Sequence, residues 1–259
     1  MEKIQYQYIE LHQDGVKAII LLNRPDVLNA LNQAMVEEVL DAMGRISPGT
    51  RVLTLRGAGN RAFAAGADIT ELEKRTAGTE MLQGSRRMLA ERLENAPYLT
   101  IAAINGIALG GGLELALACN LRIASERAKL GLPETKLGII PGNGGTVRLT
   151  RLIGSARALQ LMLLGETLSA DEALRLGVVN WVVSEQDFNG QVEALTDRLS
   201  RLSPVASRAV VDCVISSAGV PQERAIAYEQ RWFQICLESP DKREGVRAFL
   251  EKRPPDFSA

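Results

Sequence analysis

Histidine is almost missing from this chain: its 259 residues include one, His12. It stands in Glu10-Leu11-His12-Gln13-Asp14-Gly15, just ahead of a turn, where a surface role fits best. With no second histidine, the sequence argues against a Ser–His–Asp triad, a Cys–His pair and a multi-histidine metal site. Acid–base chemistry then falls to Glu, Asp, Lys, Tyr or backbone dipoles. Cysteine is scarce too. Cys119, Cys213 and Cys236 are odd in number, well separated and set among apolar residues. That usage points to reduced thiols in a cytoplasmic compartment, not to a disulfide or zinc framework. No apolar run approaches the ~18–20 residues needed to span a bilayer. Met1-Glu2-Lys3-Ile4-Gln5-Tyr6 has neither a signal-peptide core nor a transit composition. A formal charge of −1 and an aromatic content of 4% give no electrostatic or stacking case for nucleic acid or anionic lipid. What remains is ordinary for a globular chain, 46% hydrophobic and 24% charged, and long enough to bury a large core.

The first ~185 residues alternate strand and helix signals, the mark of an α/β fold. Residues 8–11 and 16–22 flank Gln13-Asp14-Gly15 as a hairpin. Val36, Val39, Leu40 and Met43 share one face of a helix expected over 29–44. A strand at 52–56 leads into 57–78, which has no clean period, and structureless stretches of that length are usually functional. A helix is expected over 80–95, with Leu82, Leu89 and Leu93 inward, then an inner strand at 101–104. Helices follow over 146–153 and 156–164. Ser169 and Glu172 form a capping box, and 178–183 reads as a short strand. The remainder reads as helices over 188–202, 204–217, 222–237 and 240–252. Ser203-Pro204 and Ser239-Pro240 each put a capping serine before a first-turn proline. Ala206, Ala209, Val210, Cys213 and Val214 form an apolar stripe that places Cys213 in a core.

The chain is organised around residues 101–145. Gly110, Gly111 and Gly112 open a segment that is apolar apart from Glu114. Two readings of the glycines stand: close packing of a helix start, or a helix N-terminus whose unpaired N–H groups face a substrate carbonyl. In the second, Glu114 lies on the same helix face as Gly111. Glu134, in Leu132-Pro133-Glu134, is either a solvated charge at a helix start or a buried acid able to hold a proton. Asp68 reads as a helix cap and Lys252 as a charge at a helix end. Gly57-Ala58-Gly59-Asn60-Arg61-Ala62 matches a dinucleotide fingerprint in outline, but no helix or acid follows at the required distance. Pro141-Gly142-Asn143-Gly144-Gly145-Thr146 lacks the lysine of a phosphate loop and reads as a turn into a helix.

Five stretches in order resemble the crotonase, or enoyl-CoA hydratase/isomerase, superfamily. They are LNRPDVLNAL, FAAGADI, IAAINGIALGGGLELALACN, GLPETKLGIIPGNGGTVRLTRLIG and AFLEKRPPDF. The resemblance implies a spiral of repeated ββα units over 1–202 holding the active site. It implies a helical part over 203–259 that builds trimers, often paired into hexamers. It carries an oxyanion hole onto the N–H groups of Ala67 and Gly111. It carries CoA contacts onto Ala65, Gly66, Asp68, Ile69, Thr70, Asp26, Val27 and Leu28. Phe249 and Lys252 match positions that cover or neutralise CoA, often from a neighbouring subunit. Many members have lysine where this chain has Thr70; Lys74 is a nearby basic substitute.

Both hydratase acids of the family match, as Glu114 and Glu134. The resemblance therefore implies syn hydration of a trans-2-enoyl-CoA to a 3-hydroxyacyl-CoA, within fatty acid or related acyl-CoA degradation. No metal or separate cofactor is required, since CoA belongs to the substrate. Alternatives are an isomerase or a dehydroadipyl-CoA-type hydratase on the same site, or a non-catalytic RNA-binding homologue. Membranes and nucleic acid are not expected as partners.

Overall fold

Apolar residues at every second position make the first hairpin. The inward side chains Ile9, Leu11, Ala18, Ile20 and Leu22 are fully buried in β2 (Ile9–Asp14) and β3 (Lys17–Leu22). The computed structural model describes residues 2–79 and 85–257. A strand that sequence did not foresee, β1 (Glu2–Gln5), adds antiparallel to β2; its mainly polar residues carry no alternation. The helix expected over 29–44 starts four residues later, as α1 (Gln33–Gly44) capped by Asn32. Leu28 and Asn29 are both left-handed, with φ of 55°. Asn29 is held there by its side chain, which accepts from the Arg24 N–H and donates to the carbonyls of Ala58 and Ala62.

Beyond the hairpin the chain coils. β4 (Val52–Gly57), β6 (Leu99–Ile104), β8 (Leu121–Ser125) and β11 (Trp181–Val183) extend the hairpin sheet in parallel. The order is β1-β2-β3-β4-β6-β8-β11. The short strands β5 (Ala62–Ala64), β7 (Ile107–Leu109) and β9 (Lys129–Gly131) run parallel in a second sheet, with β10 (Thr167–Ser169) antiparallel at its edge. Each circuit lays one strand in each sheet and then turns helical. The first ends in α2 (Ile69–Leu72) and α3 (Ser85–Glu94), the second in α4 (Gly111–Ala118). The third ends in a 3-10 turn (Glu134–Leu137), α5 (Gly145–Ile153) and α6 (Ser155–Leu164). This is the ββα spiral that the resemblance implied. β4 passes into β5 with no helix at Gly57, as the mismatch to a dinucleotide site predicts. Leu89 and Leu93 point inward on α3 as expected; residues 80–84, Leu82 among them, lie outside the described residues.

β6 is apolar from Ile101 to Ile104 because both its faces are covered. Ala102 and Ile104 join the main core. Ile101 and Ala103 meet Phe188 and Val192 of α8 (Phe188–Ser200), which follows α7 (Ala170–Arg175). The capping box at Ser169 and Glu172 is formed as expected, whereas the strand expected over 178–183 is only β11.

The last three helices are α9 (Pro204–Ser217), α10 (Gln222–Glu238) and α11 (Pro240–Leu250). Among the described residues α9 buries only Ala209, and α10 buries none. The α9 stripe is therefore not core within this chain: Val210 is 63% and Val214 66% exposed, and Cys213 is only half-buried. Its helical period was real, but period reports amphipathicity and not what covers the apolar face. No described helix is long and apolar enough to cross a membrane.

Candidate active site

The start of α4 explains the glycine run. A Cβ on Gly112 would lie 2.0 Å from the Ala64 carbonyl oxygen, so the helix begins directly against β5. Gly111 occupies the first helical position, where an N–H has no partner within the helix. Beside it runs a one-residue bridge between Leu31 and Ala67. That bridge uses the N–H groups of Leu31 (to Gly66, 2.8 Å) and Asp68 (to Leu31, 3.1 Å) and skips that of Ala67. A Cβ on Gly111 would sit 3.8 Å from the Ala67 nitrogen. The two amides expected to form the oxyanion hole are thus neighbours, on half-buried residues, and the close-packing reading of the glycines holds at Gly112. Gly112→Ala is expected to lower the melting temperature by several degrees, equivalent to about 1–3 kcal/mol of overpacking. Calorimetry showing an unchanged melting temperature would contradict the tight approach.

Glu114 is 2% exposed, an acid inside an otherwise apolar helix. Three donors clasp it. The N–H groups of Asn143 (2.7 Å) and Gly145 (2.9 Å) reach Oε1, and the Asn143 side-chain amide (2.7 Å) reaches Oε2. A buried carboxylate persists only when paired or hydrogen-bonded in this way. Sequence reasoning treated 141–146 solely as a turn into α5. It is that turn, and it also holds the acid. The available signal was an excess of unpaired amides where a glycine-rich turn enters a helix.

Glu134 opens the 3-10 turn after Pro133 and is half-buried. Its Oε2 is buried with no hydrogen-bond partner among the described residues. Burial pushes its carboxyl up to about 7; a backbone hydrogen bond partly opposes this, and repulsion from Glu114 adds to it. A Cβ on Gly110 would lie 3.0 Å from Glu134 Oε1, so this acid faces the glycine turn that carries the Gly111 amide. Its side chain is thus partly withdrawn from water rather than a fully solvated helix charge.

The residues expected to contact CoA gather beside these groups. The Ala65 N–H donates to the Leu28 carbonyl (3.0 Å), which ties the loop of Ala65, Gly66 and Asp68 to the Asp26-Val27-Leu28 segment. Val27 is 47% and Ile69 59% exposed, leaving apolar surface free along the seam. Asp68 caps α2 as predicted. It accepts from the N–H (3.1 Å) and hydroxyl (2.7 Å) of Thr70 and pairs with Arg24 at 2.9 Å. The Thr70 hydrogen bond, with Arg24 adding, holds its carboxyl below the usual range. Arg24, whose guanidinium lies 5.2 Å from the Tyr8 ring centre, is a feature that sequence reasoning did not single out. Lys74 is exposed. Phe249, 83% exposed, and Lys252, just past α11, have no side-chain hydrogen bond to the glutamates or to this loop among the described residues.

A profile of the family described as enoyl-CoA hydratase/isomerase matches residues 12–259. The chain is 38% identical over 255 residues to a crotonyl-CoA hydratase from Syntrophomonas wolfei, covering 97% of this chain and 98% of the relative. It is 41% identical over 254 residues to a probable enoyl-CoA hydratase from Bacillus subtilis, covering 96% and 98%. The crystal structure of an enoyl-CoA hydratase from Bacillus anthracis superposes with a TM-score of 0.92 at 38% identity, covering 97% of this chain and 99% of that one. Similarity along nearly the whole chain and a shared fold agree: the chain belongs to the enoyl-CoA hydratase/isomerase family.

Proposed function

We propose that this protein is an enoyl-CoA hydratase, adding water in syn fashion to a trans-2-enoyl-CoA to give a 3-hydroxyacyl-CoA, reversibly. The observation that carries the reading is the pairing of unlike acids, Glu114 clasped by three donors and Glu134 short of one, beside the Gly111 amide. Glu114 takes a proton from water as the oxygen attacks C3. Glu134 delivers its proton to C2. The N–H groups of Ala67 and Gly111 receive the thioester oxygen, whose negative charge builds only partway along the reaction, so their donation favours the transition state over the substrate. These steps use carboxylates and backbone amides alone, with CoA as part of the substrate.

In this reading CoA lies along Asp26, Val27 and Leu28 and the loop of Ala65, Gly66, Asp68, Ile69 and Thr70. Lys74, exposed just past that loop, supplies the positive charge for a CoA phosphate in place of a lysine at Thr70. The core ends near residue 202, and 203–259 forms the oligomerisation region of a trimer or hexamer, which brings Phe249 and Lys252 to a neighbour's CoA. The exposed apolar faces of α9 and α10 support that assignment. The site of action is the cytoplasm, where acyl-CoA esters occur with reduced thiols.

A panel of CoA thioesters tests the reading: trans-2-enoyl esters of several lengths, a dicarboxylic enoyl ester and a 3-enoyl ester. Loss of the conjugated enoyl-thioester absorbance on the trans-2 esters is the expected result. Turnover confined to the 3-enoyl ester assigns an isomerase, and turnover confined to the dicarboxylic ester a ring-degradation hydratase. RNA retention with steep salt dependence and no turnover would replace catalysis altogether.

A further inference from the structure

Behind Glu114 lies an ion pair that has no part in the chemistry described so far. Arg148, on α5, has a side chain 13% exposed. Its guanidinium grips Glu94, at the end of α3, with two prongs: Nε to Oε1 at 3.2 Å and Nη2 to Oε2 at 2.7 Å. The third donor, Nη1, reaches the Asn143 carbonyl at 2.8 Å. Asn143 in turn supplies two of the three donors that clasp Glu114. Gly144 sits between them at φ 98°, and a Cβ there would lie 2.2 Å from Nη1, so the guanidinium occupies the space that any side chain at 144 would fill.

We propose that Arg148, held by Glu94, is a positioning residue that aims Glu114 through Asn143. The inference rests on the reading of Glu114 as an acid–base group. The loop that carries the clasp has glycine at 142, 144 and 145 and little stiffness of its own. Fixing the Asn143 carbonyl on one side fixes its N–H and side-chain amide on the other. With Arg148 removed, the Asn143 peptide is free to rotate, and both Glu114 oxygens lose their registered donors. A misplacement of about 1 Å at a reacting group costs up to ~10²-fold in rate. With Glu94 removed, Arg148 remains a largely buried cation without its acid, and its grip on Asn143 loosens.

The test is a kcat and KM comparison of Arg148→Met, Arg148→Lys and Glu94→Gln on the full chain, each also made in a Glu114→Gln background. Arg148→Met is expected to lower kcat roughly 10- to 100-fold with KM within about twofold. Arg148→Lys should lie between, because an ammonium keeps the charge but loses the fork. In the Glu114→Gln background none of the three should cause a further loss, since a residue acting through Glu114 has nothing left to aim. A folded Arg148→Met with unchanged kcat overturns the proposal. So does the same fold-loss repeated in the Glu114→Gln background, or a loss confined to KM. Where Arg148→Met fails to fold, the lysine and Glu94→Gln variants carry the same comparison. Full activity of Glu114→Gln itself would instead defeat the underlying reading of that acid, whatever the Arg148 variants do.

Discussion

Glu134→Gln should lose hydration by ~10²- to 10⁴-fold, the usual contribution of a positioned acid–base group, while its heat stability moves the other way with pH. The two effects share one cause. Burial holds the Glu134 carboxyl at about 7, against an ordinary ~4.3 in the unfolded chain. The folded state therefore keeps a proton that the unfolded state has released. The stability tied to that proton is complete below the unfolded value and is lost as pH climbs through about 7. Glutamine carries no such liability. The melting temperature of Glu134→Gln relative to the wild type should rise steadily between about pH 5 and 8. Rates follow the same proton. Hydration needs Glu134 neutral and Glu114 ionised; dehydration starts with that proton on the other acid. One proton sits on the pair in either direction, so kcat/KM for both should fall together above about 7. Undiminished turnover in Glu134→Gln would remove the residue from the mechanism, and a flat melting difference across that range would put its carboxyl in water.

Gly111→Pro should abolish most turnover where Gly111→Ala leaves most of it. Proline is tolerated at the first position of a helix because the N–H it lacks has no partner there, and Gly111 holds that position in α4. The substitution thus deletes the proposed oxyanion donor, and the ring fills the space next to it, while the helix is left able to form. Alanine keeps the donor, and its Cβ meets only ordinary contacts, Leu31 Cδ1 at 3.7 Å and the Ala67 nitrogen at 3.8 Å. Losing one oxyanion donor costs ~10²- to 10³-fold in kcat. Circular dichroism and thermal melting check that both variants fold, and steady-state hydration reads the difference. Equal turnover in the two would mean that the Gly111 amide takes no part.

Much of this arrangement could be read from the residues because its strongest signals are local. The hairpin at Gly15, the capping box at Ser169 and the serine–proline helix starts at 203 and 239 each depend on a few adjacent atoms. β7, β9 and β10 went unseen because three residues are too few to show a period. The start of α1 was misplaced because the ties of Asn29 to Ala58 and Ala62 reach across ~30 residues of chain. The acids were found as exceptions to their surroundings, Glu114 among apolar neighbours and Glu134 between turns. What holds Glu114 was hidden, since the clasp from Asn143 and Gly145 joins circuits of the coil that no sequence window spans. The α9 stripe misled for the opposite reason: its pattern was plain, but a pattern cannot name the surface it will meet.

Twenty positions separate Glu114 from Glu134, and the coil makes that interval a pitch. α4, β8 and β9 complete one circuit between them, returning the chain to the same rim of the molecule. A residue added at the 126–128 corner would be taken up by slack in the bend. The same addition inside β9 would reverse the facing of everything after it and swing the second acid out of the cleft. Reach between the two carboxylates is therefore metered by strand length, and it can be retuned inside β9 only in steps of two residues.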